Sequence, residues 1–544
     1  HPLIFLSLTG ILVCASYMLF VNDLALSFWG LRGDEVTIAA MFQMFAHGSF
    51  VSDFAFPELV PWYPPLFFWI GAVFGNIFNW NGVQMMKASV AGTLLLFPVF
   101  VYGIQAWYWK TVPKEKLAAL GMTPQKMAWM LVPFIFFILL DWDAFILKPY
   151  EVITAFGSVL WIVALLQDLH SGVWSKKRLA VYAVSGGVLF MMYYLWLIFG
   201  AIAVALSGLF VPKKDQWKFY GRLLILGAST FIATSPYLVP LIATYHKLGT
   251  ENWAVAFMVM KGLVTQIPFI TLFSWRGVVL MCGFVSMLLF RKNVYMRSLL
   301  LLTIAGYIWQ IMGWVTIVLF ASPLQEFKPF DFYYYAIFSF AAAYGIERMY
   351  TYLVQKYAHI EWRIVLGVPA LALVSVYMIF GTFIDDPVVQ ARRVQSRSLS
   401  KPMSELIAFL EQDEENLTKK TLGPGSGEMY AFTPMNNYIY FTQHNNHPAT
   451  RFSEKKVLLE LLAKETDPAV FASSTDAIAF GPIDRFILFK NTKSPLLWTY
   501  FFVDTFPHGG GDAAIGFPEG VFVEPYFTRV FENSTFVVFE RQSA

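Results

Sequence analysis

The chain has 544 residues, of which 57% are apolar, 18% aromatic and only 14% charged. A soluble globular chain carries about 25% charged residues; the deficit, with 54 Phe and 18 Trp, excludes an ordinary water-soluble enzyme, a disordered chain and a nucleic-acid binder. A formal charge of +3 is too small to imply an acidic partner, and the two cysteines, Cys14 and Cys282, lie in apolar runs that do not form a disulfide framework.

Apolar stretches of the roughly 17–25 residues that cross a bilayer recur until about residue 384: 2–22, 83–108, 127–145, 151–168, 179–193, 196–212, 222–241, 271–290, 298–320, 334–351 and 364–384. They predict eleven transmembrane helices. The sequence opens at His1, and its first apolar stretch has no small-residue cleavage site before Asp23, so it reads as a retained helix rather than a signal peptide. The apolar run 179–212 sits between two basic loops and must fold back on itself, giving two short helices.

Lys and Arg fix the orientation. One set of loops carries Lys110, Lys114, Lys116 and Lys126, then Lys176, Lys177 and Arg178, then Lys213, Lys214, Lys218 and Arg222, then Arg291, Lys292 and Arg297, then Arg348, Lys356 and Arg363. The alternate loops carry only Arg32, Lys148, Lys247, Lys261 and Lys328, so the first set is cytoplasmic and everything after residue 384 lies outside. Counting the apolar segment Pro65–Asn79 as a further span would invert this pattern. It is expected instead as a helix lying in the outer interface, within a long first external loop over about 23–82.

From about residue 385 the composition turns polar. An amphipathic helix is expected over 402–412 after Ser400. Strands are expected at 437–442, 485–490, 498–503 and 535–539, separated by GPGSG at 423–427 and PHGGGD at 507–512. This predicts a polytopic α-helical membrane domain, 1–384, followed by an extracytoplasmic soluble α/β domain, 385–544.

Ionisable residues on the outer side cluster at the ends of spans, where they point to function: Asp34 and Glu35, Asp53 and Glu58; Asp141 and Asp143 around Trp142; Lys148, Tyr150 and Glu151; then Glu326, Lys328 and Asp331. Plainer roles exist for each. Asp34 fits hydrated headgroup-level surface, Lys148 a snorkelling lysine, Lys328 with Asp331 a loop staple, and the aromatic residues an interfacial belt. The acidic pairs at 34/35 and 141/143 lack a spacing specific for a metal, and His444, His447 and His508 sit among loop residues, so no metal site is assigned. Sequons occur at Asn416 and Asn533.

A first span followed at once by an acidic residue in a long external loop, then Tyr63-Pro64-Pro65-Leu66, many spans and an external domain, resembles the GT-C superfamily of membrane glycosyltransferases. Within it, GDEVTIAAMFQMF at 33–45, FPELVPWYPPLFFWIGAVFG at 56–75, and RFILFKN, WTYFFVDTFPHGG and VFVEPYFTRVFENSTFVVFE in the tail resemble the mycobacterial galactan arabinofuranosyltransferases. The resemblance implies a polyprenyl-phosphate sugar donor, a glycan acceptor, no cofactor and an inverting displacement. Asp34 matches the catalytic carboxylate of the first external loop, with Glu35 as its neighbour. Lys148 and Lys328, with Arg276 as a third, are the expected phosphate contacts. Asp141, Asp143 and Tyr150 are expected near the donor sugar, and Trp62 and Tyr63 near the acceptor. No G-x-x-x-x-G-K-[ST] occurs, in keeping with a lipid-linked donor that needs no ATP. Two other readings share some of these features: transfer of another lipid-linked sugar, such as an aminopentose or mannose, and a secondary transporter, which would show an internal repeat that this sequence lacks.

Overall fold

The computed structural model describes residues 2–27, 30–31, 33–112, 115, 126–139, 146–251, 275–320, 324–356, 386–491, 495–503 and 510–542. Contacts gather the chain into two compact units. The first comprises His1–Asn22, Ser89–Pro236 and Gly262–Ala391, the second Asp23–Ala88, Tyr237–Lys261 and Arg392–Ala544. The eleventh expected span and the expected domain boundary at 384/385 lie outside the described residues.

Helices occupy the other ten expected spans. Pro2–Val21, Gly82–Thr111, Pro149–Ser171, Lys213–Leu248 and Val294–Phe320 are long and apolar enough to cross a membrane, and shorter apolar helices accompany them. At 1.5 Å per residue, 20 residues reach about 30 Å, the thickness of the hydrocarbon core. Their outward side chains are apolar too: Val318 is 81% and Leu224 76% exposed, a surface suited to lipid and not to water. The run 179–212 does break in two, Lys176–Met192 and Leu195–Ser207, at an extended Tyr193. The Trp275–Leu289 and Phe332–Lys356 helices pack closely, and a Cβ at Gly345 would collide with Ser286, the small-residue contact that lets membrane helices approach.

Within this first unit the helix ends sort by side. Arg178, in the first turn after Ser175, bonds Asp168 near the end of Pro149–Ser171 and the carbonyl of Thr111 at the end of Gly82–Thr111. The loops near 111 and 172–178 therefore meet at one end. Lys148, at the start of Pro149–Ser171, and Lys328, between Val294–Phe320 and Phe332–Lys356, meet at the other.

In the second unit, helix Leu66–Phe78 appears where an interfacial helix is expected, and at 13 residues is too short to span. Ser400 caps the Lys401–Leu410 helix, its hydroxyl accepting from Met403 N. Among the described residues, seven strands form one mixed sheet: β1 (Lys420–Leu422), β2 (Asn436–Asn437), β3 (Arg485–Phe489), β4 (Leu496–Val503), β5 (Gly510–Phe517), β6 (Phe527–Glu532) and β7 (Phe536–Arg541). β1 pairs in parallel with β2 and β3, while β3–β7, β6–β7 and β4–β5 are antiparallel. Helices Phe452–Leu462 and Pro468–Asp476 bury Leu459 and Phe471 in a core with Phe486, Leu488, Trp498, Phe517 and Phe539.

Two expectations are corrected here. The segment 437–442 is a strand only at Asn437. Beyond it, Tyr438, Ile439 and Tyr440 are fully buried and the pairing is intermittent: Tyr438 N–H donates to Thr421 O of β1, and Phe441 O accepts from Phe501 N–H beside an isolated bridge between Thr442 and Phe501, while Asn437 bonds Ala55 O with both its backbone and its side chain. The glycines of PHGGGD do more than separate strands: Gly510 and Gly511 start β5 opposite Phe502 and Val503. A Cβ at Gly510 would strike the Phe501 ring, so glycine permits this bulky pairing. The sequon asparagines have structural roles: Asn416 is buried and donates to Leu410 O, and Asn533 Oδ1 accepts from Thr535 and Phe536 N–H.

Candidate active site

Gly30, Leu31 and Gly33 all have positive φ, a sharp turn that delivers the chain to the helix Asp34–Gln43. Asp34 and Glu35 occupy its first turn, where the positive end of the helix dipole favours a carboxylate. The two differ in access. Asp34 is partly exposed and Glu35 is fully buried, as the 100° rotation between successive helical residues requires.

The C-terminal segment braces this helix. Gln43 donates to the carbonyl of Phe432 and accepts from Gly82 N at 2.9 Å. Asn445 donates to Thr37 Oγ1 at 2.8 Å. Gly427 abuts Val36 so closely that a Cβ would not fit.

Nearby in the same unit, Asp53 is buried and accepts from Ala55 N at 3.1 Å. Burial pushes its carboxyl up to about 7, against backbone N–H groups of Ala55, Phe56 and Trp62 that pull it down. His447 Nδ1 accepts from Ala449 N, so its Nε2–H is the group paired with Val60 O. Burial of this neutral ring lowers its pKa to about 4. Trp62 and Tyr63 are half-buried and meet edge to face at 5.5 Å, with Trp62 O accepting from Tyr237. The Trp62 Nε1–H is buried without a hydrogen-bond partner among the described residues.

In the first unit, the structure brings Lys148, Tyr150 and Lys328 together around a residue the sequence reading left out of the site, Glu151. Lys328 Nζ lies 2.7 Å from Glu151 Oε2 and 3.4 Å from Asp331. Lys148 Nζ stands 3.6 Å from Glu151 Oε1, and Tyr150 OH reaches the same oxygen at 3.5 Å. Glu151 is 1% exposed. Its carbonyl accepts from Trp196 Nε1 at 3.0 Å, and the rings of Tyr193 and Trp196 lie under the Lys328 ammonium. A buried acid in a membrane helix is a signal that Lys-Pro-Tyr-Glu at 148–151 already carries. Arg276 is half-buried in the first turn of Trp275–Leu289. Asp141 and Asp143 lie outside the described residues, as does Trp142. No group of three or more potential metal ligands occurs among the described residues.

No curated protein matches the chain. Its structure is similar to two crystal structures of ArnT from Cupriavidus metallidurans, one bound to undecaprenyl phosphate and one in the apo state. Each aligns over 98% of this chain and 97% of that one, at 12% identity and a TM-score of 0.48. In sequence, residues 12–366 match the family described as arabinofuranosyltransferase N terminal. That segment holds both the Asp34 helix and the lysine cluster around Glu151, and it makes up well over half of the chain, which is therefore a glycosyltransferase of the arabinofuranosyltransferase family.

Proposed function

We propose that this enzyme transfers an arabinofuranosyl residue from a polyprenyl-phosphate donor to a galactan-like cell-envelope glycan, with inversion at C1. It does so on the outer face of the cytoplasmic membrane, in a GT-C fold of eleven spans. An acceptor hydroxyl attacks C1, the bond from C1 to the phosphate oxygen breaks, and polyprenyl phosphate leaves with the bond's electron pair. Asp34 takes the hydroxyl proton as general base, a contribution of about 10²–10⁴-fold in rate. Lys328 and Lys148 bind the donor phosphate as point charges, while Glu151 holds them in place. The buried indole N–H of Trp62 and the ring of Tyr63 serve the acceptor sugar.

The observation that carries this reading is Asp34 itself. It lies within the family segment, partly exposed, at a helix N-terminus, beside a glutamate that is fully buried. The test is turnover of purified wild type and Asp34→Asn with polyprenyl-phospho-arabinofuranose and short galactofuranose acceptors, followed by mass spectrometry. Product is expected from the wild type and a loss of at least 100-fold in the variant. Equal turnover by a folded Asp34→Asn protein would remove the mechanism.

A further inference from the structure

A cavity of about 830 Å³ opens among the helices Gly82–Thr111, Pro149–Ser171 and Lys176–Met192. That volume falls in the ~300–1,000 Å³ range of small-molecule sites. Most of its wall is apolar, and on its open side stand Leu96 and Trp107, 63% and 55% exposed. Val181 and Val188 face it from the neighbouring helix. One end differs: Lys177 and Arg178 line it there, in the first turn of Lys176–Met192.

Three cations in a first turn oppose the helix dipole, which favours negative charge at that position. The Arg178 guanidinium is held by buried Asp168, which also accepts from Tyr108 and Tyr182, and by the Thr111 carbonyl at 2.9 Å. Those two bonds leave further N–H donors among the five of an arginine. Lys177 is exposed at the rim. The wall therefore takes hydrocarbon, and the end takes an anion.

We infer that this cavity is a binding site for an anionic phospholipid, its acyl chains along Leu96, Trp107, Val181 and Val188 and its phosphodiester at Lys177 and Arg178. The site is separate from the lysine cluster proposed for the donor phosphate. Lys148 and the Arg178 end sit at opposite ends of the 23-residue helix Pro149–Ser171, roughly 34 Å apart at 1.5 Å per residue. By the distribution of Lys and Arg, the cationic end faces the cytoplasmic leaflet, where anionic lipids concentrate beside basic segments.

The full chain, purified in detergent and stripped of lipid, is offered phosphatidylglycerol, phosphatidylcholine or polyprenyl phosphate at equal concentration, and retained lipid is counted by native mass spectrometry. Phosphatidylglycerol is expected to be retained at least fivefold more tightly than phosphatidylcholine. Lys177→Glu, on an exposed residue, should remove most of that preference. Ala164→Phe, which fills the cavity wall, should lower retention of both phospholipids. Equal retention of the two phospholipids by the wild type overturns the inference, as does phosphatidylglycerol retention unchanged in Lys177→Glu. Displacement of phosphatidylglycerol by an equal concentration of polyprenyl phosphate overturns it as well and reassigns the cavity to the prenyl carrier.

Discussion

Lys328 Nζ lies 2.7 Å from the Glu151 carboxylate, a pair 177 residues apart in sequence and almost wholly removed from solvent. A buried charge whose partner is removed keeps its desolvation cost, whereas a pair replaced together by uncharged groups loses that cost with it. Lys328→Met or Glu151→Gln alone is therefore expected to destabilise the protein by about 3–5 kcal/mol. The double variant should recover a substantial part of that loss. Thermal unfolding of the four proteins in one detergent forms the cycle, and purely additive losses would show that the pair does not act as a unit.

Asp34 and Glu35 should separate by what they damage. Asp34 is partly exposed, so Asp34→Asn should leave unfolding within about 0.5 kcal/mol of wild type while turnover falls. Glu35→Ala, truncating a fully buried side chain, should lower stability first. Measuring melting and kcat side by side tests the assignment; a turnover loss in Glu35→Ala as large as in Asp34→Asn, with no change in melting, would reverse the two roles.

Gln43 ties the helix that carries Asp34 to two backbone groups, Phe432 O and Gly82 N. Replacing it by Leu leaves both without that partner, at about 1–3 kcal/mol for each unsatisfied group. If the C-terminal segment positions Asp34, Gln43→Leu should also reduce turnover under conditions where the protein remains folded. A stability loss with unchanged kcat would make the brace purely structural.

Asp53 and His447 oppose each other in pH. Asp53 holds its proton to about pH 7 in the folded protein but loses it near pH 4 unfolded, so its contribution falls as pH rises across that interval. His447 stays neutral down to about pH 4 when folded and protonates near 6.5 unfolded, so its contribution rises with pH from about 4 to 6.5. The two slopes are equal and opposite, about 1.4 kcal/mol per pH unit each. Asp53→Asn should therefore gain stability from pH 4 to 6.5, on the order of 3 kcal/mol relative to wild type, while His447→Gln loses a similar amount. Melting midpoints stepped across this range decide it, and three parallel profiles would contradict both assignments.

Hydrophobicity made the membrane domain legible, since a run such as Pro2–Val21 has few alternatives to a helix. The break near Tyr193 was legible for the same reason, because two basic loops cannot bracket one straight span. The sheet was less so. β5 begins with Gly510 and Gly511, residues that mark turns when read alone, and only their closeness to Phe501 and Phe502 explains them. The apolar run after Asn437 carried the opposite error: it reads as one continuous strand but pairs only at Tyr438 and at the Phe441–Thr442 bridge to Phe501, with its rings packed on one another. Among the candidate site residues, Asp34 stands out in the sequence by its place after the first span. Glu151 is marked there only as an acid opening an apolar stretch, and its partner Lys328, 177 residues on, is announced by no local spacing.

The bond from Gln43 to Phe432 joins residues 389 positions apart, and this sets an order of events during synthesis. At about 5–20 residues per second, the helix bearing Asp34 leaves the ribosome roughly 20–80 s before the segment that braces it. Asn445 and Gly427 arrive equally late. For that interval the first loop is outside its final setting, with no C-terminal partner for Thr37 or Val36. The helix that carries Asp34 thus reaches its final setting only after the membrane helices have been made, and an early stop between residues 386 and 427 leaves those helices with the Asp34 helix unbraced.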